Sequence, residues 1–144
     1  MITEWDERFI GLAYHISNWS KDPSTKCGAI IVDKQHRVIS LGFNGFPAGF
    51  ADDYSLWNDR ESKLGIVIHA EENAILFSKR DLGGCTIYTV PMPPCSRCAS
   101  KIAQAGIIRV VAPESTSEQF HRWGNSFLLA GQIYEKLGIE LELI

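Results

Sequence analysis

Residues 85–111 read CTIYTVPMPPCSRCASKIAQAGIIRVV, and the order of their patterns decides the fold class. The apolar, β-branched run 85–90 predicts a strand, and the prolines at 91, 93 and 94 make a rigid turn. Residues 95–105 then suit a helix closed by Gly106, and 107–111 suit a second, buried strand. Strand, helix and strand in succession imply a sheet that is at least partly parallel, with helices on its faces.

The flanks extend the same alternation. Upstream, residues 67–79 place Ile68, Ala70, Ala74, Ile75 and Phe77 as the apolar surface of a helix that Gly83-Gly84 stops. Residues 2–19 carry a helical stripe through Trp5, Phe9, Ile10, Leu12, Ala13 and Ile16, with Thr3 as the cap. The segments CGAIIVD (27–33) and RVISLGF (37–43) read as a hairpin, preceded by turn chemistry in SKDPSTK (20–26). Residues 44–65 show no clean period and predict a long functional loop. Downstream, Phe120, Trp123, Phe127, Leu128, Gly131, Tyr134 and Leu137 recur at helical spacing, making Trp123 and Phe127 the buried face of a last helix. Gly138 fits the position just past its end. Residues 139–144 (IELELI) alternate as an edge strand with glutamates outward. The expected order is αββαβαβαβ: a single α/β domain over residues 1–144, three-layered α/β/α on a five-stranded mixed sheet. Its first two strands are antiparallel, and its last is parallel to its neighbour because a helix precedes it.

Composition narrows the function classes. The 144 residues are 45% apolar and 22% charged, which supports a folded core. A formal net charge of -3, from 14 Lys and Arg against 17 Asp and Glu, argues against a partner gripped through a polynucleotide backbone. No apolar run approaches the about 18 residues of a membrane span, and the acidic start MITEWDERFI is unlike a signal peptide. Four cysteines are too few for a secreted disulfide framework. A cytoplasmic location is the resulting expectation.

The chemistry lies in His69-Ala70-Glu71 and, one strand later, Pro94-Cys95-Ser96-Arg97-Cys98. Cysteines three apart at a helix start share a face, so both sulfurs can meet one ion. The helix N-terminus favours their thiolates. One His and two Cys supply zinc with three protein ligands and leave the fourth position to water, whose pKa the metal lowers. Glu71, two residues after a ligand, is near enough to handle that water's proton. HAE alone is weak. CxxC after a strand also fits a thiol-redox pair, and a structural zinc would need a fourth ligand from His15, His36, His121, Cys27 or Cys85. HxE, a strand and PCxxC together match the pattern of zinc nucleobase deaminases.

The segments SKDPSTKCGAIIVD, LGFNGFPAGFADD, HAEENAI and GCTIYTVPMPPCSRCASKIAQAGIIRVV resemble the cytidine and deoxycytidylate deaminase superfamily over residues 9–112. SKDP and GFNGFPAG point within it to the deoxycytidylate (dCMP) deaminase branch. The resemblance implies a cytidine deaminase-like fold with zinc held by His69, Cys95 and Cys98 and Glu71 as proton shuttle. It places Asn44 on the sugar hydroxyl, the Ala70 backbone on the base edge, and Thr25 in the substrate site. The implied reaction is hydrolysis of dCMP to dUMP and ammonia by a homo-oligomer acting on a small nucleotide. A modified pyrimidine nucleotide, a free base or tRNA adenosine are alternative substrates, and a non-enzymatic zinc module or a thiol-redox protein are alternative classes. The tail from about Glu114, with His121-Arg122-Trp123 and the following helix, does not match the family residue by residue.

Lys21, Lys26 and Arg97 are the candidate phosphate cations. Cys27 and Cys85 read as small core residues, Asp52-Asp53 as a solvated or turn-capping pair, and Glu72 as a residue whose substitution should be mild.

Overall fold

In β1 (Gly28–Val32) every residue is buried, so both faces of this strand must be covered. Ile30 and Val32 face one core cluster and Ala29 and Ile31 the other, as period-two alternation requires. The computed structural model describes residues 1–50 and 54–144, so the Asp52-Asp53 pair lies outside the described residues.

β1 pairs antiparallel with β2 (Val38–Phe43) on one side and with β3 (Thr86–Val90) on the other. β4 (Arg109–Ala112) and β5 (Glu140–Leu143) continue parallel to β3, giving one mixed sheet in the order β2-β1-β3-β4-β5. This is the five-stranded α/β arrangement that the sequence predicts. α1 (Glu4–Ser17) covers one face through Phe9, Ile10, Ala13 and Ile16. α4 (Ala70–Ser78) and α5 (Ser96–Gln104) cover the other through Ala70, Ala74, Ala99 and Ile102. α6 (Ser117–Leu137) packs outside α5 and adds Ala130 and Tyr134 to that core. Among the described residues no helix is long and apolar enough to cross a membrane.

Three local readings change. Residues 44–65 are not only loop: α2 (Tyr54–Asn58) and α3 (Arg60–Ile66) form there. Each is shorter than two full turns, and between them they bury only Trp57, so no helical stripe could accumulate. The helix expected from 67 begins at Ala70, because Ile68 exchanges both backbone hydrogen bonds with Gly45 (2.8 and 3.1 Å) and keeps that stretch extended. In β5, Glu142 is half-buried, whereas Leu141 and Leu143 are 39% and 44% exposed. Parallel pairing sets Glu140 and Glu142 beside Arg109 and Val111, on the α1 face. There Arg109 and the Met1 amine receive the carboxylates, so the glutamates do not simply point to solvent.

α1 is anchored by charge as well as by its apolar stripe. Thr3 and Asp6 form a reciprocal capping box, and Asp6, only 2% exposed, also takes both Arg109 guanidinium N–H groups (2.8 and 2.9 Å) and the Tyr88 hydroxyl (2.7 Å). Burial pushes the Asp6 carboxyl up, but the bonds from Arg109, Tyr88 and Thr3 outweigh it and hold the pKa far below the usual range. Arg109→Ala strands this buried charge and should cost about 3–5 kcal/mol, read as a fall in the urea midpoint. Because the folded pKa is depressed, the contribution is complete above about pH 4, the unfolded value, and is lost as pH falls below it. Asp6→Asn should flatten that acid limb of the stability profile.

Candidate metal centre and active site

β1 runs antiparallel to both β2 and β3, so the start of β1, the end of β2 and the end of β3 share one end of the sheet. Cys27, Asn44 and Val90 are therefore neighbours before any side chain is considered. The Gly45–Ile68 bridge draws His69 to the same end. α4 lies against β2 at backbone contact: a methyl group on Gly42 would collide with the Ala70 carbonyl oxygen. From β3 the chain turns through residues 91–94 and delivers Cys95 to the start of α5.

Two helix N-termini thus meet, with His69 at the N-cap of α4 and Cys95 at the N-cap of α5. The His69 Nδ1 lies 3.6 Å from Cys95 Sγ and 3.3 Å from Cys98 Sγ, and the three donor atoms fall within 4.8 Å of one another. Tetrahedral zinc, with bonds of about 2.0–2.1 Å to nitrogen and about 2.3 Å to sulfur, sets N and S roughly 3.6 Å apart. The donor set fits the ion in kind and in spacing.

Within this cluster the protons are shared unevenly. A hydrogen bond from Cys98, then one from His69, draws the Cys95 thiol down to about 4 against the effect of burial. The bond to Cys95, and then burial, push the Cys98 thiol up. The Cys95 contact raises His69. A metal ion displaces the protons that remain.

Glu71 follows on the first turn of α4 and is 8% exposed. Burial raises its carboxyl pKa above the ordinary value, against the pull of His69. Glu72 is not an idle neighbour. Its carboxylate accepts the His69 backbone N–H at 3.0 Å and meets Lys101 of α5 at 2.8 Å, clasping the two ligand-bearing helices. The sequence reading assigned Glu72 neither of these contacts.

Asn44 is 6% exposed and rigidly held. Its amide hydrogens go to Asp22 Oδ2 (3.2 Å) and the Thr25 carbonyl (2.9 Å), while its Oδ1 accepts the Cys27 N–H (2.8 Å). What remains is one lone pair on Oδ1, suited to a hydroxyl donor.

A single cavity is lined by His69, Ala70, Glu71, Cys95, Asn44 and Thr25, so the structure brings the site residues read from the sequence together. Cys98 sits behind it, 1% exposed. Cys85 is a core residue as expected, whereas Cys27 is only half-buried and lines the cavity. Trp123 and Phe127 are likewise half-buried cavity wall, not core. Of the phosphate candidates, Lys21, Lys26 and Arg97 are absent from the lining, which instead contains Arg60, Lys63 and Arg122. A lysine or arginine carries no sequence signal of its surroundings, and α6 reaches the site only by packing on α5. There the Ser96 N–H donates to Ser126 Oγ at 2.7 Å.

The family model described as the cytidine and deoxycytidylate deaminase zinc-binding region matches residues 3–114. An Aliivibrio fischeri protein described as an uncharacterized deaminase in the luxG 3′ region is 45% identical over 141 residues, covering 98% of this chain and 94% of that protein. The mouse deoxycytidylate deaminase is 39% identical over 82% of this chain and 67% of its own length. Among solved structures, the cyanophage S-TIM5 dCMP deaminase in complex with dCMP and dUMP superposes with a TM-score of 0.74 at 26% identity, covering 100% of this chain and 99% of that one.

Proposed function

We propose that this chain, which belongs to the cytidine and deoxycytidylate deaminase family, hydrolyses dCMP to dUMP and ammonia. The observation that carries this reading is one cavity lined by His69 and Cys95 of the ligand cluster, with Cys98 behind them, by the buried Glu71 and by Asn44 with its spare acceptor. The deoxycytidylate deaminases among its relatives support the substrate.

His69, Cys95 and Cys98 would hold zinc, which would supply Lewis acidity and lower the pKa of a water toward neutrality. Glu71 takes a proton from that water and passes it to N3 of cytosine as the water oxygen adds to C4. Glu71 then takes the second proton, from the new C4 hydroxyl, and delivers it to the exocyclic amine; the C4–N4 bond breaks as the C4 carbonyl forms, and the balance is dCMP plus water to dUMP plus ammonia. The Ala70 backbone, at the first turn of α4, faces the base edge. Asn44 Oδ1 accepts the sugar hydroxyl, and Thr25 closes the sugar side. Free thiols at all four cysteines suit a cytoplasmic enzyme. Residues 1–144 act as one domain. Exposed Leu128, Leu129, Leu141 and Leu143 offer apolar surface for a homo-oligomer.

The test is ammonia release by the zinc-loaded protein across dCMP, CMP, deoxycytidine, cytosine and adenine nucleotides. A large preference in kcat/KM for dCMP over deoxycytidine is expected, and equal rates on the two would overturn the nucleotide reading. Asn44→Ala should lower kcat/KM for dCMP by about 10²-fold, the scale of one or two lost polar contacts, with zinc content unchanged.

A further inference from the structure

The family model matches residues 3–114, yet Arg122, Trp123 and Phe127 lie beyond it and line the cavity that holds the metal cluster. A second arginine, Arg60, lines the same cavity from α3. Lys63, the remaining cation, is already committed. Its Nζ is 2.8 Å from Asp22 Oδ1, with side chains 17% and 4% exposed. The Asp22 carboxylate also receives Asn44 and the backbone N–H groups of Ser24 and Thr25. Recruiting Lys63 for an incoming anion would strand that buried carboxylate, so Lys63 belongs to the wall.

Arg60 and Arg122 differ. Both are exposed, and among the described residues neither has a carboxylate or hydrogen-bond partner. Arg122 has its guanidinium 6.0 Å from the centre of the Trp123 ring, a contact that leaves its N–H fork unused. Two unpaired guanidinium groups in one cavity of a chain with net charge -3 form a local positive field on an acidic protein. With the base end set by Glu71 and the metal ligands and the sugar by Asn44, the group left for α3 and α6 is the one on the 5′ carbon.

We propose that Arg122, aided by Arg60, reads the 5′-monophosphate of the substrate, which makes α6 the element that separates nucleotide from nucleoside. The proposal rests on the deaminase reading above. A planar guanidinium fork donates two parallel hydrogen bonds to phosphate oxygens, and a nucleoside has nothing to place there.

The experiment compares the zinc-loaded parent with Arg122→Gln, Arg122→Lys, Arg60→Gln and, as a control outside the cavity, Lys26→Gln. The readouts are kcat and KM for dCMP and deoxycytidine, and the thermal shifts given by dUMP and deoxyuridine. Arg122→Gln should lower kcat/KM for dCMP about 10²-fold more than for deoxycytidine, mainly through KM, and remove most of the dUMP shift. Arg122→Lys should recover part of the loss, Arg60→Gln should show a smaller loss of the same kind, and Lys26→Gln should match the parent. If the parent prefers dCMP and Arg122→Gln keeps that preference, the assignment of Arg122 is overturned and the substrate reading stands. Parallel losses on both substrates would make Arg122 a structural residue and also overturn the assignment. A parent with no preference for dCMP overturns the nucleotide reading and the phosphate site with it.

Discussion

Glu71→Gln should leave the fold and the zinc in place and reduce kcat by at least about 10²–10⁴-fold, the contribution of one general acid–base group. The exchange conserves volume at a position that is 8% exposed, so packing changes little. It removes only the ability to accept and return a proton, in a site where burial already raises the carboxyl pKa. KM for dCMP should move far less than kcat, because the lost interaction is made in the transition state. The measurements are ammonia release, metal analysis and a thermal melt of the same preparation. A variant with near-parent turnover and full zinc would remove Glu71 from the mechanism.

Cys98→Ala should abolish turnover by a different route. Purified parent should carry about one zinc per chain, and the variant should lose most of it, because two protein ligands cannot hold the ion as three do. The matched control is Cys85→Ala. Cys85 is 2% exposed against 1% for Cys98, but it packs in the apolar core and is not in the ligand cluster. Comparable loss of core contacts with opposite effects on zinc would separate ligation from packing. Full zinc in a folded Cys98→Ala protein would overturn the assignment. The chain should also be more stable with metal than without, since folding assembles ligands from residues 69 to 98.

Together, the two variants separate proton transfer from metal binding. Arg109→Ala, at the opposite face of the sheet, should lower stability while the folded protein keeps its zinc. Its partners Asp6 and Glu140 share no contact with the ligand cluster.

The sequence by itself determined whatever depends on neighbours within a turn or a strand. The period of α1 and its Thr3 cap, the stop of α6 at Gly138 (φ +67°), the β1–β2 hairpin and the alternation of helices and strands are local physics. So is the Cys95–Cys98 spacing, since residues three apart on a first helical turn share a face. The His69 ligand and the zinc chemistry followed from the same short windows, as did the role proposed for Glu71. Only the tertiary structure decided which cations reach the cavity, because charge carries no address. Lys63 is fixed by an aspartate 41 residues earlier, and Arg122 arrives because a helix beyond the residues that the family model matches packs on α5. Trp123 and Phe127 keep the spacing of a core stripe, but the surface they meet is the open side of the site. Helical periodicity reports that a face is turned inward. Whether it meets a packed core or a binding cavity depends on elements distant in sequence, and no local pattern contains them.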